Sequence, residues 1–467
     1  MSQFGHKSFE IQNIMEDKTI PGEVSSEIKA HKENSVGQDI YVSKGSKLSY
    51  SLIDFRDKAF EKLVTQIDFL TASLMPIEEL KNQIEAFIGH FIEETNTKVS
   101  YKEQQQIAID ITHIMTGLGP LEPLLSDPSI TDIMVNGVDS IYIEQRGKLR
   151  KTDIKFRSKQ QVMQVAQRIA NEVGRRIDES SPMVDARLRD GSRVNIITDP
   201  VSLAGTIISI RRFSNESITL KEMVKNNNLS ENMAKFLEIA ASSRLNILVS
   251  GGTGAGKTTI LNALSHLINP RERIITIEDA AELRLIQPHV VRLESRPQNI
   301  EGQGKITIRD LLRNALRMRP DRIVIGECRG DETFDMLQAM NTGHDGSMST
   351  LHANSAEEAL NRLQNMVLMA GYDLPIEVIK NYIAGAIDLI IHVARMHDGT
   401  RRITQIMDIG NYKNDMIECK NLFIFKLESI TSQGNIIGNY VAQNHDISSI
   451  EKIHYAGLEN ELQAVLK

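Results

Sequence analysis

The 467-residue chain holds two cysteines, Cys328 and Cys419. That is too few for a disulfide framework or a four-thiolate zinc site. Such usage fits a reducing compartment, and no structural zinc is expected. No apolar run approaches the roughly 20 residues that cross a bilayer. The nearest, IAGAIDLIIHVA, is short and carries Asp388 in its middle. From Met1 onward no basic stretch leads into an apolar core, so no secretory signal is expected. There is no internal repeat and no low-complexity tract. An excess of basic charge is missing as well, since 54 Lys and Arg face 61 Asp and Glu for a formal net charge of −7. This speaks against bulk nucleic-acid binding and leaves room only for a local basic groove.

What remains is an ordinary globular composition, 41% hydrophobic and 25% charged, in a chain long enough for two or three cores. Residues 1–49 are polar and aperiodic and read as a disordered or loosely attached segment. Periodicity then sets in. Phe60, Leu63, Val64, Ile67 and Leu70 share one helical face, as do Ile77, Leu80, Ile84, Phe87, Ile88 and Phe91 after Pro76. Ser100 and Glu103 form a capping box for a third helix carrying Ile107, Ile111 and Ile114. A three-helix bundle over 50–116 follows. Over 117–215 the pattern is mixed α/β, with hairpins at SIYIEQRGKL and at ARLRDGSRVNII, the second turning at Asp190-Gly191. TIISIRRF adds a strand. The polar, Asn-rich KEMVKNNNLSENM places an interdomain linker at 216–229. In 230–467 strands such as LNILVS, RIITIE and RIVIGE alternate with helical patterns, the signature of a parallel sheet covered on both faces.

GGTGAGKTT, residues Gly251, Gly252, Thr253, Gly254, Ala255, Gly256, Lys257, Thr258 and Thr259, satisfies the phosphate-loop pattern between an apolar strand and a helix. Its glycines let backbone N–H groups converge on phosphate oxygens at a helix start. Lys257 would reach the β- and γ-phosphates, and the Thr258 hydroxyl would hold Mg²⁺. Two further strands end in carboxylates, Glu278-Asp279 in RIITIEDAAEL and Glu327 in DRIVIGECRGDE. A carboxylate at such a strand end can orient or deprotonate a water. TGHDGSMSTLHAN supplies His344 and His352. A metal site is excluded there by the lack of further ligands at suitable spacing. Ser355 and Glu358 form a capping box, so His352 should lie on a loop leading into a helix.

TIEDAAEL, LLRNALRMRPDRIVIGECRGDE and AMNTGHDGSMSTLHANSAEEALNRL resemble the Asp-box, Walker B and His-box regions of the type II/IV secretion ATPase superfamily. Among its branches the chain is most similar to the tight-adherence (Flp, type IVc) pilus assembly ATPases. The resemblance is strong over 117–410 and looser over the helices before it. Arg189 stands where proline would be expected and Cys328 where valine would be. The resemblance implies an α/β architecture: a RecA-like motor domain, a preceding mixed α/β (PAS-like) domain and an N-terminal three-helix bundle. It implies an ATP-hydrolysing, Mg²⁺-dependent motor. This would be a cytoplasmic homohexamer, peripheral to the inner membrane through a pilus platform protein, that drives pilus assembly and could also drive retraction. It places His352 near the γ-phosphate as a sensor, while a satisfied structural role stays open for His344. Glu327 would prepare the attacking water, and Glu278 would help through the Mg²⁺ shell or a second water contact. Arg193 and Arg211 would reach the phosphates across an interdomain cleft, with Arg187 and Arg212 as further candidates for nucleotide or subunit contacts. A type IV secretion traffic ATPase or an archaeal filament motor is the rival within the superfamily, and a nucleic-acid translocase the rival from another class.

Overall fold

The structure is a computed structural model that describes residues 40–41, 50–66, 75–145, 147–212, 218–296, 298 and 303–466. The reading of 1–49 as disordered therefore lies outside the described residues, except for Ile40–Tyr41. That pair forms a short strand, β1, parallel to Lys151–Thr152. Ile67 and Leu70 of the first amphipathic pattern also lie outside them.

Three helices follow, α1 (Tyr50–Val64), α2 (Ile77–Thr95) and α3 (Tyr101–Thr116). They bury Leu63, Leu80, Ile84, Ile88, Ile107 and Ile111 in one cluster. Glu103 N–H donates to Ser100 Oγ at 3.3 Å, and Ser100 N–H donates to the Glu103 carboxylate at 2.8 Å. These bonds satisfy two of the donors a helix start leaves open. Asn96, at φ 47°, ends α2 in the left-handed conformation that Asn tolerates.

Beyond a short helix, α4 (Glu122–Leu125), a mixed domain is built on β2 (Ile130–Asn136), β3 (Ile141–Gln145) and β4 (Lys148–Thr152). It continues through α5 (Lys159–Glu172), β5 (Met183–Arg187), β6 (Arg193–Ile197) and β7 (Ile207–Arg211). With β1 these strands make a seven-stranded sheet in the order β1-β4-β3-β2-β7-β6-β5. Period-two alternation sends Ile133, Val135, Ile141, Ile143, Ile196, Ile208 and Ile210 into a core shared with Val162, Val165 and Ile169 of α5.

The stretch expected to be a linker is a correction. Residues 220–225 form a capped helix, α6 (Leu220–Lys225), started by a Thr219–Glu222 capping box. Leu220, Met223 and Leu229 are buried in the core of the following domain. Asn228 is tied into the same domain, because its backbone carbonyl accepts from Ile403 N–H at 2.8 Å. Leu220 and Met223 on the helix and Leu229 beyond it, spaced among Asn and Lys, anchor what composition alone reads as loose.

The last domain holds α7 (Glu231–Ser242), β8 (Ile247–Gly251), α8 (Lys257–Ser265), β9 (Ile274–Glu278), β10 (Val290–Glu294) and α9 (Ile308–Ala315). Then come β11 (Arg322–Ile325), α10 (Glu332–Asn341), β12 (Met348–Leu351), α11 (Ala356–Met369) and α12 (Ile376–Ala386). A meander of β13 (Leu389–Arg395), β14 (Arg401–Lys413), β15 (Met416–Ile430) and β16 (Ile436–Ala442) closes the sheet. Two helices, α13 (Ile450–Ala456) and α14 (Glu459–Leu466), end the chain described here. The nine strands run β10-β9-β11-β12-β8-β13-β14-β15-β16. Those from β10 to β13 are parallel, and the last three are antiparallel. Successive residues of one strand feed opposite cores, with Ile247 and Val249 in one and Leu248 in the other. The parallel part is thus covered on both faces, as a βα alternation requires. The antiparallel extension was not foreseen. Among the described residues no helix is long and apolar enough to cross a membrane.

Candidate functional site

Strand order sets the site. β8, β9, β11 and β12 are parallel, so their carboxyl ends share one edge, where ligands bind in open α/β sheets. β12 lies between β8 and β11. It therefore delivers His352 between the phosphate loop and Glu327, although these residues are far apart in the chain.

The phosphate loop turns through Gly254 at φ +68° and Gly256 at φ +101° before α8 begins at Lys257. A Cβ at Gly251 would stand 2.3 Å from the Val393 carbonyl oxygen, so the strand packs there only as glycine. Ala255 is buried, whereas Gly252, Thr253 and Gly254 are exposed and Thr258 and Thr259 half-buried. Lys257 is 8% exposed. Its ammonium donates to the Gly251 and Gly252 carbonyls at 3.1 Å each and lies 3.3 Å from His352 Nδ1. Burial lowers its pKa, and the nearby Glu327 carboxylate opposes that shift.

Glu327 is the hub on the β11 side. Its Oε2 accepts from Arg329 at 2.7 Å, and its Oε1 lies 2.9 Å from His352 Nε2. The bond from Arg329 to Glu327 raises the pKa of Arg329, with burial opposing it. Burial lowers the pKa of His352, against the pull of Glu327. The shift favours the neutral imidazole, which donates through one nitrogen only. Ser355 Oγ accepts from Glu358 N–H at 3.0 Å, starting α11 just beyond His352. Ser355 remains the cap, but the Glu358 carboxylate takes the Asn354 N–H at 2.8 Å rather than that of Ser355, so the reciprocal half of the expected box is displaced by one residue.

Glu278, 3% exposed at the end of β9, has unequal oxygens. Oε2 accepts from Glu282 and Leu283 N–H at 2.7 and 2.9 Å, while Oε1 is buried with no protein partner. Burial raises its pKa. Gly326 fits against it because a Cβ there would come 2.9 Å from Glu278 Cγ. Asp279 meets Ser295 Oγ at 3.0 Å and Arg329 at 3.5 Å. Glu282 lies 3.5 Å from the Thr258 hydroxyl. Thr258, Glu278 and Glu282 are hard oxygen donors beside the phosphate loop, and one carboxylate oxygen is unsatisfied. That donor set suits Mg²⁺.

The arginines come from the mixed domain. Arg187 donates to the Ala281 carbonyl and to Glu294, both at 2.7 Å. Arg193 donates to the Ala280 carbonyl at 2.9 Å and pairs with Glu282 at 3.3 Å. Both therefore clasp the loop after β9. Arg211 instead lies 3.3 Å from Asp132 of its own sheet, 56% exposed. Arg212 points to the other face and donates to the Asp127 and Ile130 carbonyls within its domain. His344 is away from the site, before β12, with Nδ1 3.1 Å from the Ala339 carbonyl. The seven residues between the histidines include the whole of β12, which separates them along the sheet.

Arg329 and Glu282 escaped the sequence reading although each lies in a quoted motif, Arg329 two residues after Glu327 and Glu282 four after Glu278. Their charge at a strand end was the available signal. Two further arginines, Arg395 and Arg401, reach the phosphate loop from β13 and β14. Arg401 Nε donates to the Gly254 carbonyl at 2.9 Å.

A phosphate loop, a carboxylate-tipped β11 and a histidine on the strand between them define a RecA-like nucleotide-binding domain. The chain belongs to the type II/IV secretion system protein family, whose family model matches residues 115–425. A putative conjugal transfer protein of Mycobacterium tuberculosis (strain ATCC 25618 / H37Rv) is 40% identical over 298 residues, 62% of this chain and 84% of that one. The type IV secretion system protein VirB11 of Brucella abortus (strain 2308) is 32% identical over 325 residues, covering 63% and 90%. Among solved structures, the pilus retraction motor PilT with bound ADP aligns at 21% identity and a TM-score of 0.45, over 72% of this chain and 84% of that one.

Proposed function

We propose that the chain is an Mg²⁺-dependent ATPase that converts ATP and water to ADP and phosphate. The observation that carries this reading is the meeting of Lys257, Glu327 and His352 at the ends of three adjacent parallel strands. Lys257 exchanges its loop carbonyls for the β- and γ-phosphates of ATP. Glu327 accepts the proton of the attacking water, and His352 holds the Glu327 carboxylate in place while reporting the γ-phosphate. Thr258 would hold Mg²⁺, with Glu278 acting through its coordination shell. The ion supplies neutralisation of the charge on the phosphates. Arg193, already held to the Ala280 carbonyl and to Glu282, and Arg211 on the neighbouring strand would gain the γ-phosphate as a further partner when ATP is bound, strengthening the approach of the two domains. ATP then has differential affinity for the closed arrangement, as a population shift requires.

In this reading the chain works as a homohexamer on an inner-membrane platform protein and powers assembly of a tight-adherence pilus. A traffic ATPase of a type IV secretion system is the second reading, favoured by the relatives named for conjugal transfer and type IV secretion. Deletion of the gene separates them by losing surface pili in one case and substrate export in the other. Hydrolysis itself is tested with two variants. Lys257→Ala should lose nucleotide binding or turnover, whereas Glu327→Gln should bind ATP yet release phosphate about a hundredfold more slowly. Near-normal phosphate release by Glu327→Gln would sink the assignment.

A further inference from the structure

A transverse row of charges on the mixed-domain sheet has both of its ends against the motor domain. Register pairs Glu144 on β3 with Asp132 on β2, Asp132 with Arg211 on β7, Arg211 with Arg193 on β6, and Arg193 with Arg187 on β5. Residues directly opposite in antiparallel strands share a face. The five side chains therefore form one line, acidic at one end and basic at the other. The basic end clasps the loop after β9, beside the residues assigned to Mg²⁺ and the γ-phosphate. The acidic end reaches the other flank of the phosphate loop, where β13 and β14 lie.

There Glu144 stands 3.6 Å from Arg395 and 3.7 Å from Arg401. Both arginines already touch the loops. Arg395 donates to the Gly147 carbonyl at 2.7 Å, and Arg401 donates to the Gly254 carbonyl at 2.9 Å. A Cβ at Gly254 would lie 3.8 Å from Arg395 Nη1, and one at Gly256 would lie 3.4 Å from Arg401 Cδ. The pair thus covers the flank of the phosphate loop opposite to His352 and Glu327. At more than 3.5 Å the Glu144 contacts are charge pairings rather than good hydrogen bonds. Each guanidinium carries five donors in a fork that suits phosphate and sugar oxygens.

We propose that Arg395 and Arg401 are a second nucleotide contact, at the ribose and α-phosphate end, and that Glu144 competes with the nucleotide for them. The proposal rests on the ATPase reading above. Because β12 and β11 mark the γ-phosphate side of the loop, the β13–β14 side receives the part of the nucleotide that ADP and ATP share. Glu144 is then a positioning residue whose carboxylate holds the mixed domain to the arginines until an anionic ligand takes its place.

The test is titration of a fluorescent ADP and a fluorescent non-hydrolysable ATP analogue into the full-length wild type and its variants. Arg395→Gln with Arg401→Gln should weaken both ligands to the same degree, by roughly tenfold or more. Glu144→Gln should tighten both by roughly two- to fivefold, the scale of a partly exposed ion pair, and raised salt should erase that gain. A Glu144 that only supported a binding-competent arrangement of the two domains would give the opposite sign, because losing that support would weaken both ligands. Unchanged or weaker binding by Glu144→Gln would overturn the proposal, as would an arginine effect confined to the ATP analogue. Should the wild type bind neither ligand, the ATPase reading itself falls, an outcome that Lys257→Ala, measured alongside, distinguishes from failure of the Glu144 competition alone.

Discussion

Glu278 offers a test in which stability and ligand response move in opposite directions. Its carboxylate is buried, with two N–H groups on Oε2 and no protein partner on Oε1. A buried acceptor left unpaired costs about 1–3 kcal/mol, and a charged one costs more. In Glu278→Gln the amide oxygen keeps both N–H bonds and the charge is gone, while the amide N–H donors take over the unpaired position of Oε1 at the lower cost of a neutral group. The variant should therefore be more stable than the wild type by about 1 kcal/mol near neutral pH, or about 2–4 °C in melting midpoint. The pH dependence follows from the raised carboxyl pKa. As pH climbs from the ordinary value of 4.5 through the raised folded value, the unfolded chain releases its proton first and the wild type loses stability. The glutamine variant has no such group, so its advantage is absent in acid and complete above the folded pKa. Magnesium reverses the order. If Glu278 serves the ion's shell, Mg²⁺ with ADP should raise the wild-type midpoint beyond ADP alone, and the variant should lose that increment. Scanning calorimetry with ADP, with and without Mg²⁺, reads both effects. A glutamine variant that melts lower without Mg²⁺, or that shows the full wild-type increment with it, would refute the reasoning.

Other expectations are simpler. His352→Ala should slow phosphate release on the order of a hundredfold through misplacement of Glu327, whereas His344→Ala should leave turnover within about twofold, since its ring is bonded to the Ala339 carbonyl, away from the site. Paired turnover assays decide between them, and equal losses would refute the separation of roles. Asn246→Ala should cost about 2–4 kcal/mol in urea unfolding. Its amide, 1% exposed, accepts from Gly346 and Ser347 N–H and donates to the Ala386 carbonyl.

Local chemistry was legible in the chain itself. The phosphate loop declares itself in nine consecutive residues because cradling a phosphate needs glycine dihedrals followed at once by a helix start. The Ser100–Glu103 box is legible for a similar reason, since a helix cap is made within four residues. Alternation placed Arg211 and Arg212 on opposite faces, as the structure has them, and the apolar runs announced a sheet covered on both sides. What joins distant segments was not legible. The stretch at 220–229 reads as polar because its three buried residues are outnumbered, and burial is decided by the core they meet. Glu144, Asp132, Arg211, Arg193 and Arg187 show no common spacing in sequence and become one line only when strand register aligns them. Arg395 and Arg401 approach Gly254 because β13 pairs with β8, a contact that spans more than a hundred residues of chain. A motif's dihedrals and hydrogen bonds are short-range and written in adjacent residues. The partners of a charge at a strand end depend on which strands neighbour one another, and packing of the whole sheet decides that.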